Sequence, residues 1–185
     1  NKGGAAGAIT INSTTAGNNI TLNGDLASVG GAGSAAQGAG GNINPKGSGS
    51  IILGKGITID TGATAGNITF SSVLDGTSDY AEDLTLNAGT GTVGFGRNKV
   101  TGGVKKLGNI TIQSAGNVQV SSSLNAKSVS ATNSGTFLLS GSSATITARD
   151  GFSVSGNARM ETCGITTNGG NLTIDGTLTI WGAKG

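Results

Sequence analysis

Short apolar–polar–apolar triplets punctuate the chain from one end to the other. They read Ile9-Thr10-Ile11, Ile20-Thr21-Leu22, Ile57-Thr58-Ile59, Ile68-Thr69-Phe70, Leu84-Thr85-Leu86, Ile110-Thr111-Ile112, Leu172-Thr173-Ile174 and Leu178-Thr179-Ile180. Side chains alternate between the faces of a strand, so the two apolar residues of each triplet point inward and the threonine outward. Looser copies at Val118-Gln119-Val120, Val129-Ser130-Ala131, Ile146-Thr147-Ala148 and Phe152-Ser153-Val154 keep the alternation. The pattern predicts an all-β chain of many short strands.

Spacing separates a solenoid from a sandwich. Ile110, Val129, Ile146 and Ile165 follow one another at 19, 17 and 19 residues, and Val118, Phe137, Val154 and Leu172 at 19, 17 and 18. Two interleaved strands per repeat fit one β-helix coil of roughly 18–20 residues, and a third, weaker face is compatible with the same text. Gly-Asn pairs at 17–18, 41–42, 66–67, 108–109, 116–117, 156–157 and 170–171 mostly stand just before a strand. Both residues tolerate the left-handed backbone of a tight corner, and stacked Asn side chains can hydrogen-bond along the axis.

Three stretches break the rhythm and are read as corner insertions of a single solenoid segment spanning residues 1–185: 30–50, 71–83 and 96–107. The first opens with the low-complexity run from Gly30 to Gly41, read as a loose excursion. The second gathers Asp75, Asp79, Glu82 and Asp83 with Tyr80. The third gathers Arg97, Lys99, Lys105 and Lys106. Insertions of a solenoid emerge at its corners, so Tyr80 and these four cations form the expected interaction surface. If successive coils place the two insertions side by side they form an ion-pair network; on opposite faces they serve contacts between molecules.

Composition narrows the chemistry. Thirty-six of the 185 residues are glycine and one is proline, without the strict period of collagen. Aromatics are 3% of the chain, which leaves a core of Ile, Leu, Val and Ala in thin layers that gain their interior by stacking. A net charge of +2 is too small to drive nucleic-acid binding, and no apolar run is long enough for membrane insertion. With no histidine, a Ser-His-Asp triad and a His-ligated zinc site are both excluded; with Cys163 alone, so are thiolate clusters and an intrachain disulfide. Cys163 reads as a small buried thiol. The chain starts and ends inside the repeat pattern and is read as a mature or excised piece.

The carboxylates are the remaining catalytic candidates, because polysaccharide-cleaving β-helices work with acidic clusters, with or without calcium. Asp75, Asp79, Glu82 and Asp83 are close enough to share a cation, but their spacing matches no calcium-loop template, and neither catalytic residues nor a cofactor are assigned. Tyr80 and Trp181 are isolated aromatics. Each outward threonine stands alone between apolar residues rather than in the Thr-x-Thr pairs of an ice-binding face, as β-propensity and solubility already require.

Gly66-Asn67-Ile68-Thr69-Phe70, followed by Asp83-Leu84-Thr85-Leu86-Asn87-Ala88-Gly89-Thr90-Gly91, resembles the filamentous haemagglutinin-like repeat proteins of Gram-negative bacteria. Similar text at Gly108-Asn109-Ile110-Thr111-Ile112 and Gly170-Asn171-Leu172-Thr173-Ile174 extends the resemblance over most of the chain. It implies a right-handed parallel β-helix, secretion to the bacterial cell surface, and a role in adhesion, biofilm or cell-cell contact. The family's secretion module is not recognisable here, although Asn44-Pro45-Lys46-Gly47 resembles an Asn-Pro motif of that module. The expected function is a structural or adhesive, non-enzymatic stalk, with a carbohydrate-binding or polysaccharide-cleaving β-helix as the alternative. Expected partners are neighbouring solenoid domains or copies of the chain end to end, and a host or bacterial surface glycan or protein.

Overall fold

The structure is a computed structural model and describes residues 1–96, 100–141, 144–161 and 163–182. The chain begins with β1 (Ile9–Ser13), β2 (Ile20–Leu22) and β3 (Leu26–Ala27), and continues with β4 (Ile43–Gly47), β5 (Ile51–Leu53) and β6 (Ile57–Asp60). Next come β7 (Ile68–Phe70), β8 (Leu74–Gly76), β9 (Leu84–Asn87), β10 (Thr92–Phe95), β11 (Leu107–Ala115) and β12 (Asn117–Val120). The last five are β13 (Leu124–Ser140), β14 (Thr145–Glu161), β15 (Gly164–Thr166), β16 (Asn171–Ile174) and β17 (Leu178–Trp181). Every strand pairing is parallel, and no described residue is helical. The fold is a parallel β-helix.

Each coil has three faces. On the first, Ile9, Ile43, Ile68, Val93, Val118, Phe137, Ala158 and Leu178 stack in register, at steps of 34, 25, 25, 25, 19, 21 and 20 residues. On the second, Ile57, Leu84, Ile110, Val129, Phe152 and Leu172 stack. The third carries Ile20, Ile51, Leu74, Thr101, Leu124, Ile146 and Ile165, with Thr101 held by single bridges to Leu74 and Leu124. The coils of the C-terminal half, 19–23 residues by register, run from the expected 18–20 to slightly longer, and the coils before them carry more corner residues. β13 and β14 each run round two corners, with register shifts where they bend.

The third face redistributes the two spacing series. Ile110 and Val129 do stack, but Ile146 and Ile165 stack on each other on a different face. Val118 stacks on Phe137 on the first face, whereas Leu172 lies on the second. Near-equal strand spacing within and between coils produced the apparent two-strand repeat.

The expected insertions prove to be partly regular structure. Residues 30–50 contain β4, whose Ile43 is fully buried between Ile9 and Ile68. Pro45 disguises it: with no N–H to donate, it lies where the β4–β7 ladder stops after Ile43, and Ser72 takes over by accepting from Gly47 N and donating to Gly47 O, at 2.8 and 2.7 Å. The Gly-rich run is not loose either. It lies along residues 3–6, with Gly3 N to Ala36 O at 2.9 Å, Ala6 N to Ala39 O at 2.8 Å and Gly31 N to Gly4 O at 2.8 Å. Residues 71–83 contain β8, and residues 96–107 contain the Thr101 bridges.

Beside buried polar side chains such as Thr61, Asp75, Glu82 and Thr101, the interior is aliphatic apart from the four phenylalanines, all buried in pairs. Phe70 and Phe95 stack at 5.4 Å on consecutive coils, and Phe137 meets Phe152 edge-on at 5.5 Å across the interior.

The corner asparagines act along the axis, one coil serving the next. Asn42 Oδ1 accepts from Asn67 N, Asn67 Oδ1 from Thr92 N, Asn117 Oδ1 from Thr136 N and Asn157 Oδ1 from Thr177 N, at 2.8–3.0 Å. Asn19 and Asp25 do the same for Ser50 and Thr58 at the other corners. These rungs join side chain to backbone, and side chain meets side chain along the axis at Asp60–Asn87 and Asn109–Ser128. Asn117→Ala is expected to cost about 1 kcal/mol, the net value of one hydrogen bond plus an N–H left open, read as a lowered midpoint in urea without a changed slope.

Candidate functional site

The acidic and basic insertions lie side by side at the corner between the third and second faces. Asp75, 2% exposed, accepts from the backbone N–H groups of Val104 and Lys105 at 3.0 and 3.4 Å. Asp79 accepts from Lys106 N at 3.0 Å, and its oxygens lie 3.9 Å from Lys105 Nζ and 3.8 Å from Lys106 Nζ. Glu82, 6% exposed, closes on its own loop: it accepts from Thr77 N at 3.1 Å, Ser78 N at 3.2 Å and the Thr77 hydroxyl. Asp83 accepts from Asn109 N at 2.6 Å and Asn109 Nδ2 at 3.1 Å.

Four carboxylates adjacent in sequence thus go to four separate tasks. Three cap backbone N–H groups of the following coil and one folds the loop between β8 and β9. Among the described residues no three His, Cys, Asp or Glu side chains are grouped so as to hold a metal ion. Side by side is the ion-pair arrangement, but both Asp79 contacts are long and half-exposed, so solvent screens them and they add little to stability. Arg97 and Lys99 lie outside the described residues.

The Lys106 N–H is the main reason the Asp79 carboxyl titrates below the ordinary range; burial opposes it, and the ammonium groups of Lys106 and Lys105 add to the lowering. For Glu82, burial pushes the pKa up, and the hydrogen bonds from Thr77 and Ser78 together outweigh it, so the group also titrates low. A carboxyl depressed by folding contributes stability above its unfolded pKa, about 4.3 for glutamate, and loses it as pH falls through the folded value. Glu82→Gln is expected to lower stability at neutral pH by about 1–2 kcal/mol, since the carboxamide turns an N–H2 toward donors. It should also flatten the loss of thermal stability below about pH 4.3; a pH series of melting temperatures for both proteins reads both effects.

Tyr80 joins the same corner in a left-handed conformation, φ 65°. Its N–H donates to Lys106 O at 2.8 Å, and the Arg149 guanidinium lies 4.4 Å from its ring centroid. Arg149 is itself fixed by Asp150, with Nε to Oδ1 at 2.6 Å. Trp181 is covered in the same manner by Arg159 at 4.2 Å, and Arg159 pairs with Glu161 at 2.5 Å. Each exposed aromatic ring is therefore shared with a cation. Sequence reasoning singled out neither Arg149 nor Arg159; their partners stand several coils away or on the next coil, and only the stacking order could have found them.

The outward surfaces differ in texture. On the second face Thr58, Thr85, Thr111, Ser130, Ser153 and Thr173 stand in register, one hydroxyl per coil. Cys163 is half-buried, donates to Leu139 O at 3.2 Å, and has its thiol pKa pushed up by burial, the opposite of an activated nucleophile. Compared with known proteins, the chain matches no family model, no curated protein and no solved structure.

Proposed function

We propose that this chain is a structural and adhesive module of a secreted bacterial surface protein, a length of stiff stalk that carries contact surfaces away from the cell. The observation that supports it most is the use made of the clustered carboxylates: Asp75, Asp79 and Asp83 are spent on N–H groups of the following coil, and Glu82 on its own loop. A glycan-cleaving β-helix needs such groups free in a groove, as paired acid and base. A stalk needs them where they are, fastening coil to coil.

The geometry suits extension. The first face is eight strands deep, about 35 Å at ordinary strand spacing, and each added coil lengthens the rod by the same increment. β15, β16 and β17 pair on one side only, with β14, and Leu172, Ile180 and Trp181 are 50%, 69% and 55% exposed. That open edge is the place for further coils, from the same chain or from another copy, since unpaired parallel edges template their own continuation.

Electron microscopy of the protein over a range of concentrations tests the stalk: thin rods or filaments are expected, and compact particles count against it. A screen against bacterial and host polysaccharides, read by new reducing ends or unsaturated products, tests the enzymatic alternative. Turnover that disappears in Asp79→Ala or Glu82→Ala would overturn the proposal.

A further inference from the structure

The first face carries a notch at two outward glycines, one of which packing does not require. Gly94 is the outward residue at the middle of β10, in register between Thr69 on the coil before and Gln119 on the coil after. A glycine inside a strand weakens it and needs a reason: a special φ, a close approach, or a ligand. Its φ is not in the left-handed range, and a Cβ built on it would meet nothing closer than Thr69 Cγ2 at 3.8 Å, ordinary contact. Among the described glycines in strands with a coil on either side, it is the one with most room. By contrast, a Cβ on Gly96 would lie 2.8 Å from Phe70 O, so that glycine is required by packing.

Two neighbouring outward positions without side chains, Gly94 and Gly96, open a depression of about 420 Å3. Its floor is the β10 backbone. Its walls are Asn67 and Thr69 on one side and Gln119 and Ser121 on the other, with Thr92 at one end. The walls stand about 10 Å apart, twice the ordinary strand spacing, and the trough runs along the strand. Asn67 Oδ1 is tied to Thr92 N at 2.8 Å, which fixes the carboxamide and leaves its NH2 as a donor.

We propose that this notch is a binding site for a linear, neutral oligosaccharide. Among the described residues none of the lining side chains is charged, and all of the polar ones are hydroxyls or carboxamides, which exchange hydrogen bonds with sugar hydroxyls without desolvating an ion. An extended peptide could not add to this surface by strand pairing, because β10 is already hydrogen-bonded to β7 and β12. The proposal names a ligand class for the adhesive reading given above and rests on that reading for its setting.

Calorimetric titration with cello-, xylo- and manno-oligosaccharides tests it, with a hyaluronan fragment and an unstructured peptide as comparisons. The wild-type protein is expected to bind at least one of the neutral chains. Gly94→Thr fills the notch with the residue type found on the neighbouring coil, and should weaken that binding by roughly tenfold or more while leaving the fold intact. Its melting temperature should hold or rise by about 2–4 °C, because threonine suits a strand better than glycine. Gln119→Ala, which removes a wall without filling the floor, should weaken binding as well. Equal binding by wild type and Gly94→Thr, binding of hyaluronan or peptide alone, or no binding of any neutral chain would overturn the site. Adherence of the protein to cells that persists without neutral-chain binding overturns the notch and leaves the stalk standing.

Discussion

Phe137→Ala is expected to lower the free energy of unfolding by about 3–5 kcal/mol, the largest loss of any single truncation in this chain. Phe137 is 1% exposed and meets Phe152 edge-on, at an interplanar angle of 82°. The two rings come from different faces, β13 on the first and β14 on the second, and so join opposite walls of the interior. Its neighbours in the column are Val118 and Ala158, and Ala158 is small enough to admit the ring and too small to fill the space left by its removal. Only partial collapse can follow, so most of the cavity contribution remains. Urea unfolding measures the loss. A drop below about 1.5 kcal/mol, the range of a volume-conserving swap, would mean that the coils repack freely and that the stack is not a fixed jigsaw. Leu172→Ala offers the contrast, because half of that side chain is already exposed on the last coil.

These energetics explain why the axial side-chain caps matter in a protein with so thin a core. Each layer buries only a few residues per face, and hydrophobic burial alone says nothing about which way or how far one coil sits over the next. The carbonyl oxygens of Asn42, Asn67, Asn117 and Asn157 and the carboxylates of Asp25, Asp79 and Asp83 each take an N–H from the coil that follows. A slip of one residue would break every one of them at once and turn the threonines inward. Register is thereby specified at the corners as well as by the alternation of each strand. The same device absorbs the charge of the acidic insertion, so a cluster that reads in sequence as candidate chemistry serves as structure.

How far this was legible depends on the face. Most strands of the first two faces are written in Ile-Thr-Ile-like text and follow from alternation, as do Ile20-Thr21-Leu22 and Ile146-Thr147-Ala148 on the third. The rest of the third face is not so written: Ile51-Ile52-Leu53 has no polar middle, Leu74-Asp75-Gly76 ends in poor strand formers, and the coil after it is joined there only by Thr101. Such strands hold by pairing with neighbours on both sides, which is tertiary information. β4 was hidden for a related reason, since Pro45 and the glycines before it outweigh Ile43 locally, whereas burial between two coils decides. The acidic cluster was visible as a cluster, but its partners are backbone N–H groups roughly one coil onward, which no spacing of residue types reveals. The Tyr80–Arg149 contact is of the same kind.

Gly89→Val should destabilise the chain by about 2–5 kcal/mol, combining two separate costs. Gly89 turns the corner between β9 and β10 at φ 54°, where a side chain costs about 1–2 kcal/mol. A Cβ there would also stand 2.3 Å from the carbonyl carbon of Ala63 and 2.4 Å from the oxygens of Ala63 and Gly62, all backbone of the coil before. Backbone on one coil cannot yield without shifting its own pairing, so the remainder is the cost of overpacking, about 1–3 kcal/mol. Ser114 Oγ donates to Gly89 O at 3.2 Å from the next coil, so a displaced corner disturbs the layers on both sides. Gly24→Ala is the matched control: a Cβ there meets nothing within 4 Å, and its φ lies outside the left-handed range. Melting temperatures of the two variants should therefore diverge, with Gly24→Ala close to the parent. If Gly89→Val melted with it, the corners would not be the close backbone-to-backbone contacts on which the stacking of this solenoid depends.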